Sequence, residues 1–235
     1  MDGTAGSPGA ERKNRAVFDA LAAADITRLA RGKVTETEEV DRIRSRYLPH
    51  DRSHSLTDKE FDRLFLECRY TAFRLETLQV YDVGYEREAF AAFLADGELA
   101  ASDSQLEWNR IISRGPLFHR VHVVTEPLTD YVRFECVCAY RHNVQAGEDV
   151  RILPTRKGTW PEGIPQYDYW LFDSQYLVRM HYTTDGTMLA PELITDPHQI
   201  VTANVVRDRA LHRAVPFSDY DRRFDVRMRP HFFDV

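Results

Sequence analysis

From Ser55 onward, short runs rich in β-branched and aromatic residues alternate with stretches of helical periodicity. That interleaving restricts the architecture more than any single motif, because strands separated by helices must share a sheet that the helices then cover. Ser55, followed by Asp58 and the apolar Phe61, Leu64 and Phe65, reads as the cap of a helix over 57–68. Residues 72–81 (AFRLETLQVY) set Phe73, Leu75 and Val80 against Arg74, Glu76 and Gln79, which predicts a strand. Gly84 breaks it. A helix over 85–94, with Phe90, Phe93 and Leu94 on one face, and another around Leu106, Ile111 and Ile112 follow. Residues 120–125 (RVHVVT) read as a second strand.

The segment 128–146 is ambiguous by pattern. Val132, Phe134, Cys136, Cys138 and Tyr140 alternate, yet Leu128, Tyr131, Val132, Cys138 and Ala139 recur near helical spacing. Its length favours a helix that opens after Pro127 and ends at Gly147. A strand over 150–153, stopped by Pro154, and a Gly- and Pro-rich loop come next. Residues 167–172 and 176–182 are two aromatic runs with hairpin grammar, and Asp185-Gly186 is a further turn signal. Asp196 and Pro197 open a last helix that runs to about Ala214. The expected fold is α/β (mixed α+β), a single mixed sheet flanked by helices with a helical N-terminal arm.

A chain of 235 residues accommodates one large domain with an appendage. Residues 1–55 read as an N-terminal arm and linker. They comprise a Gly, Ser, Pro and charge-rich start, an apolar stripe through Val17, Phe18, Leu21 and Leu29, and a charged helix from about Glu36 to Tyr47. Residues 56–220 form the core domain and 221–235 a C-terminal tail.

Composition excludes several classes. No apolar run approaches the ~20 residues of a membrane span, and Met1–Ala10 lacks the basic and apolar regions of a signal peptide, so a cytoplasmic protein without a membrane partner is expected. A net charge of −6 opposes a generally nucleic-acid-binding surface. Only Lys13, Lys33, Lys59 and Lys157 of the 31 basic residues are lysine, an arginine bias that leaves room for local phosphate or carboxylate recognition. Cys68, Cys136 and Cys138 read as reduced thiols in apolar sequence. Cys136 and Cys138 would point about 200° apart on a helix, and His119 and His122 to opposite faces of a strand, so no metal site is expected. No nucleotide-binding glycine motif, nucleophile elbow or zinc-protease motif is present, and no cofactor is expected.

What stands out is charge placed inside apolar segments. Arg74 and Glu76 share a face of one strand, and Arg120 and His122 a face of the next. Glu126 follows at a helix start, Arg133 and Glu135 sit amid Val132, Phe134 and Cys136, and Asp168 precedes an aromatic run. Groups near strand ends and helix starts can line a ligand crevice. Arginines paired with carboxylates suit a zwitterionic or carboxylate ligand. Trp160, in the Gly/Pro-rich loop, is the candidate ligand lid or partner contact. The alternative reading is internal ion pairing and exposed strand faces.

The blocks Phe73-Arg74-Leu75-Glu76-Thr77, RVHVVTEPLTDYVRFE (120–135), AGEDVRILP (146–154), DYWLFD (168–173) and the Asp-Pro-initiated helix ending Ala214-Val215-Pro216-Phe217 occur in this order. Together they resemble an uncharacterised actinobacterial domain family whose members are commonly found beside helix-turn-helix regulators. The resemblance covers about 56–220. The C-terminal blocks are also distantly similar to phospholipase D-like sensor domains, without their His-x-Lys-x-x-x-x-Asp catalytic motif, and no catalytic residue carries over. The resemblance implies a small-molecule- or partner-binding module of regulation or secondary metabolism, its partner a small molecule or a regulator protein. The alternative is a metal-independent group-transfer enzyme of natural-product biosynthesis, for example an aminoacyl transferase. In that case tRNA would contact Arg12, Arg15, Arg42, Arg44 and Arg46 of the arm.

Overall fold

The computed structural model describes residues 53–96 and 103–224. Residues 1–52 of the N-terminal arm and the end of the C-terminal tail lie outside them, while the last three residues assigned to the arm form a strand of the core sheet. Eight strands form one sheet in the order β1-β7-β6-β5-β2-β3-β4-β8. The strands are β1 (Ser53–Ser55), β2 (Thr71–Glu76), β3 (Leu117–Glu126), β4 (Asp149–Arg156), β5 (Tyr169–Phe172), β6 (Tyr176–Arg179), β7 (Glu192–Ile194) and β8 (Val215–Pro216). The β2–β3 and β3–β4 pairs are parallel and the other pairs antiparallel. The helices are α1 (Asp58–Glu67), α2 (Arg87–Asp96), α3 (Asp103–Arg114), α4 (Asp130–Phe134), α5 (Arg141–Ala146), α6 (Pro197–Arg213) and α7 (Phe217–Phe224). The α+β architecture with one mixed sheet is thus the one the interleaved pattern predicts. No helix among the described residues is long and apolar enough to cross a membrane.

Local differences have physical reasons. Helix α1 is capped by Thr57 rather than Ser55. The Thr57 side chain accepts from the Glu60 backbone while Glu60 reaches back, a capping box two residues later, which frees Ser55 to pair with Glu192 from β1. Strand β4 continues through Pro154. The β8 partner reaches only Arg151 and Ile152, so beyond them that side of β4 has no ladder for the missing N–H to interrupt. The ambiguous segment is helical from Asp130 to Ala146, with Thr129 as its cap. Between α4 and α5 lies a π-helix over Glu135–Tyr140, in which the Arg141 N–H donates to the carbonyl of Cys136, five residues back. Gly147, at φ 108°, ends it. Asp196 caps α6 as expected, accepting from the N–H groups of His198 and Gln199. Helix α7 straddles residue 221, where the tail was expected to begin.

The sheet is covered on both faces. Phe73, Leu75, Val121, Val123, Tyr169 and Leu171 point to one face and pack under α6 through Ala203, Val206 and Ala210. The alternate positions of the same strands point to the other face. There Ala72, Phe118, Trp170 and Phe172 meet α1 and α3, while Val124 and Ile152 meet α2, α4 and α7. Arg74, Glu76, Arg120 and His122 belong to this second face, so the strand period of two places all four in one layer.

Candidate functional site

Strands β2 and β3 set Arg74 beside Arg120 and Glu76 beside His122. Two buried guanidiniums in register require acids around them, and three converge. Glu76 Oε1 accepts from Arg120 Nη1 at 2.5 Å and lies 3.4 Å from Arg74 Nε. Arg120 Nε donates to Glu148 at 2.7 Å, and Arg74 Nη2 donates to Asp168 at 2.9 Å and to the Tyr182 hydroxyl at 2.8 Å. Asp168 also accepts from the Thr77 backbone and hydroxyl and from Tyr81. Burial opposes the charge on Glu76, but Arg120 and Arg74 outweigh it and hold its carboxyl down at about 2.

The π-helix supplies the other wall. Its wider turn carries Glu135 and Tyr140, five residues apart, to the same side, with the Tyr140 hydroxyl 3.4 Å from Glu135 Oε1. That hydroxyl also lies 2.9 Å from Glu76 Oε2 and 2.9 Å from His122 Nδ1. His122 Nε2 is 2.7 Å from the Leu78 carbonyl, which can only accept, so Nε2 carries a proton. Burial lowers the His122 proton affinity despite Glu76 nearby, which leaves a neutral ring. Burial, then repulsion from Glu76 and Glu86, pushes the Glu135 carboxyl well above the ordinary carboxylate range. Burial likewise raises Glu86, against its hydrogen bond from Tyr131 at 2.6 Å.

These groups line a cavity of about 600 Å3, within the usual range for small-molecule sites. Its polar floor is Arg74, Arg120, Glu76 and Glu135, and Asn143 and Glu86 add to it. Its walls are aromatic. Phe65 packs edge-on against Trp108 and Trp170, and Tyr81 against Tyr182 at a centroid distance of 5.4 Å, with Tyr131 at 5.8 Å. Gly186, at φ 89°, lets the 183–187 turn close one side, where a Cβ would come within 2.7 Å of the Val80 carbonyl. Two buried polar atoms of lining residues have no partner, Arg74 Nη1 and Glu135 Oε2.

Of the residues singled out in the sequence, Arg74, Glu76, Arg120, His122, Glu135 and Asp168 come together in this network. Three do not. Glu126 accepts from the Tyr220 hydroxyl, Arg133 pairs with Asp130, and Trp160 donates to the Ile164 carbonyl against the α6 layer. The sequence reading missed Tyr81, Tyr140, Tyr182, Glu86 and Glu148. The i, i+5 spacing of Glu135 and Tyr140 carries no signal for an ordinary helix, and Glu148 sits just past a glycine cap.

Among the described residues, one trio has metal-ligand character, Glu76, His122 and Glu135, whose donor atoms lie within 4.8 Å of one another. It does not fit a metal. The Tyr140 hydroxyl, and not an open coordination position, is where the three converge, and two guanidiniums already neutralise Glu76.

The model of a family described as a domain of unknown function, DUF6879, matches residues 59–222. The chain belongs to the DUF6879 family. No functionally curated protein matches it. Among solved structures, the chain is similar to TrmBL2, an archaeal chromatin protein whose structure shows a novel mode of DNA binding. The identity is 10% and the TM-score 0.40, over 92% of this chain and 76% of that one. It is also similar to NucT from Helicobacter pylori, at 11% identity and TM-score 0.36, over 70% of this chain and 96% of that one. Neither likeness bears on the chemistry of the DUF6879 cavity.

Proposed function

We propose that this DUF6879 chain is a small-molecule receptor and that the cavity between the β2–β3 floor and the π-helix is its binding site. One observation carries the reading: two wall residues, Arg74 and Glu135, each hold a buried polar atom without a partner. Folded interiors leave very few such atoms, and an unmet donor or acceptor costs about 1–3 kcal/mol. A ligand that offers an acceptor to Arg74 Nη1 and a polar contact to Glu135 Oε2 recovers that cost, and the aromatic walls take its apolar body. The receptor would serve actinobacterial regulation or secondary metabolism from the cytoplasm. A regulator protein would be its downstream partner.

A second reading has one observation in its favour. A buried carboxyl held in its acid form beside a tyrosine and a neutral histidine is a potential proton donor, which suits a metal-independent group-transfer enzyme. The tRNA contact invoked for that reading falls on the arm, outside the described residues.

The receptor reading is tested by saturation-transfer NMR with a library of small polar aromatics, on the wild type and on Ala89→Trp, which fills the cavity from its wall. Binding lost in a variant that keeps its melting temperature supports the reading. Binding that survives the filled cavity, or no binding at all, refutes it.

A further inference from the structure

The acids and bases of the cavity do not balance. Arg74 is matched by Asp168 and Arg120 by Glu148, while Glu76 is shared between them. Glu135 and Glu86 remain, both lining the cavity, and neither has a lysine or arginine partner among the described residues. The groups facing Glu135 come from every element around it: Glu76 from β2, Arg120 and neutral His122 from β3, Glu86 from the turn before α2, and Tyr131 and Tyr140 from its own helical rod. Two neighbouring acids, Glu76 and Glu86, against the Arg120 guanidinium leave a deficit of positive charge at Glu135, whose buried Oε2 lies 3.6 Å from His122 Nδ1 and makes no hydrogen bond. The rings of Tyr81, Tyr131 and Tyr182 also line the cavity, and the face of an aromatic ring favours a cation over an anion.

Resting on the receptor reading above, we propose that the ligand is an organic cation. It is an amine on an apolar or aromatic body, with the Glu135 carboxylate as its counter-ion and Arg74 Nη1 donating to an acceptor elsewhere on the ligand. Burial and the neighbouring acids hold Glu135 in its acid form when no cation faces it. An ammonium ligand that enters drives the Glu135 proton out to water. A ligand that enters as the free amine takes that proton instead. Both routes end in the same ammonium–carboxylate pair, so binding of a protonated amine releases a proton and strengthens as pH rises.

The test uses three probes that share one ring, 2-phenylethylamine, 2-phenylethanol and phenylacetate, measured by saturation-transfer NMR and by calorimetry in buffers of different ionisation enthalpy. The amine should bind at least about tenfold more tightly than the alcohol, and the carboxylate more weakly still. Calorimetry should report release of about one proton per amine bound near neutral pH. Glu135→Gln should abolish the proton release and the preference for the amine while leaving the alcohol unaffected. If that variant does not fold, the wild-type pH series decides. Amine affinity that rises between about pH 6 and about pH 8, with alcohol affinity flat, supports the proposal, and two flat profiles overturn it. Alcohol or carboxylate binding as tight as the amine, lost in Ala89→Trp, overturns the cation and keeps the receptor. No probe bound by the wild type overturns both.

Discussion

Replacing Glu76 with Gln removes the acid shared by Arg74 and Arg120 while keeping its shape. A carboxyl held at about 2 in the fold, against its ordinary value of 4.5, is the measure of what that charge contributes. At ~1.4 kcal/mol for each tenfold change in proton affinity, it amounts to roughly 3 kcal/mol at neutral pH. The loss is moderated because Arg74 keeps Asp168 and Arg120 keeps Glu148, and because Glu135 loses a repelling neighbour. The expected net destabilisation is therefore about 2–3 kcal/mol at pH 7, below the full cost of leaving a buried charge alone. The proton affinity of Glu76 is depressed by folding, so its contribution is complete above its unfolded value and is lost as pH falls from ~4.5 towards ~2, dropping below half by about pH 3. Urea unfolding of both proteins at pH 7 and near pH 3 measures this directly. A difference under about 1 kcal/mol at pH 7, or one of equal size at both pH values, would show that Glu76 is not the shared counter-ion of the two arginines.

Tyr140→Phe deletes the hydroxyl at which His122, Glu76 and Glu135 meet. We expect a loss of about 2 kcal/mol in urea unfolding and a changed imidazole 15N shift for His122, and an unaltered shift would mean the hydroxyl does not hold the ring. Since the Glu76, His122 and Glu135 trio encloses a hydroxyl instead of an open position, Zn2+ or Mn2+ at moderate excess should leave the melting temperature unchanged. A rise of several degrees would refute that account of the trio.

The sheet and its covering were legible because a strand's period of two and a helix's longer period leave different marks, clear in RVHVVT and in Pro197–Arg213. The same period pairs Arg74 with Glu76 on one strand and Arg120 with His122 on the next, and the parallel pairing of β2 with β3, which carries no mark in the sequence, joins the two pairs in one layer. The short strands β1, β7 and β8 were not legible, since two or three residues hold no period and are defined by their partners alone. Arg133 and Glu135 look alike in sequence, yet one pairs with Asp130 and the other enters the cavity, because residues two apart on a helix point about 200° apart. Trp160 looked like a lid because of its loop. Its indole instead closes that loop through the Ile164 carbonyl.

The π turn decides which side of the rod Tyr140 faces. A π turn is an α-helix holding one residue more than its ladder needs. Wound as plain α-helix with every residue kept, the rod would carry Tyr140 about 140° round from Glu135. The wider turn absorbs the fifth residue and returns the two to one side. Deleting Ala139 would leave them at i, i+4, a spacing that shares a face of an ordinary α-helix. The meeting point of Glu76, His122 and Glu135 should therefore outlast the loss of that one residue, because the winding changes with the count.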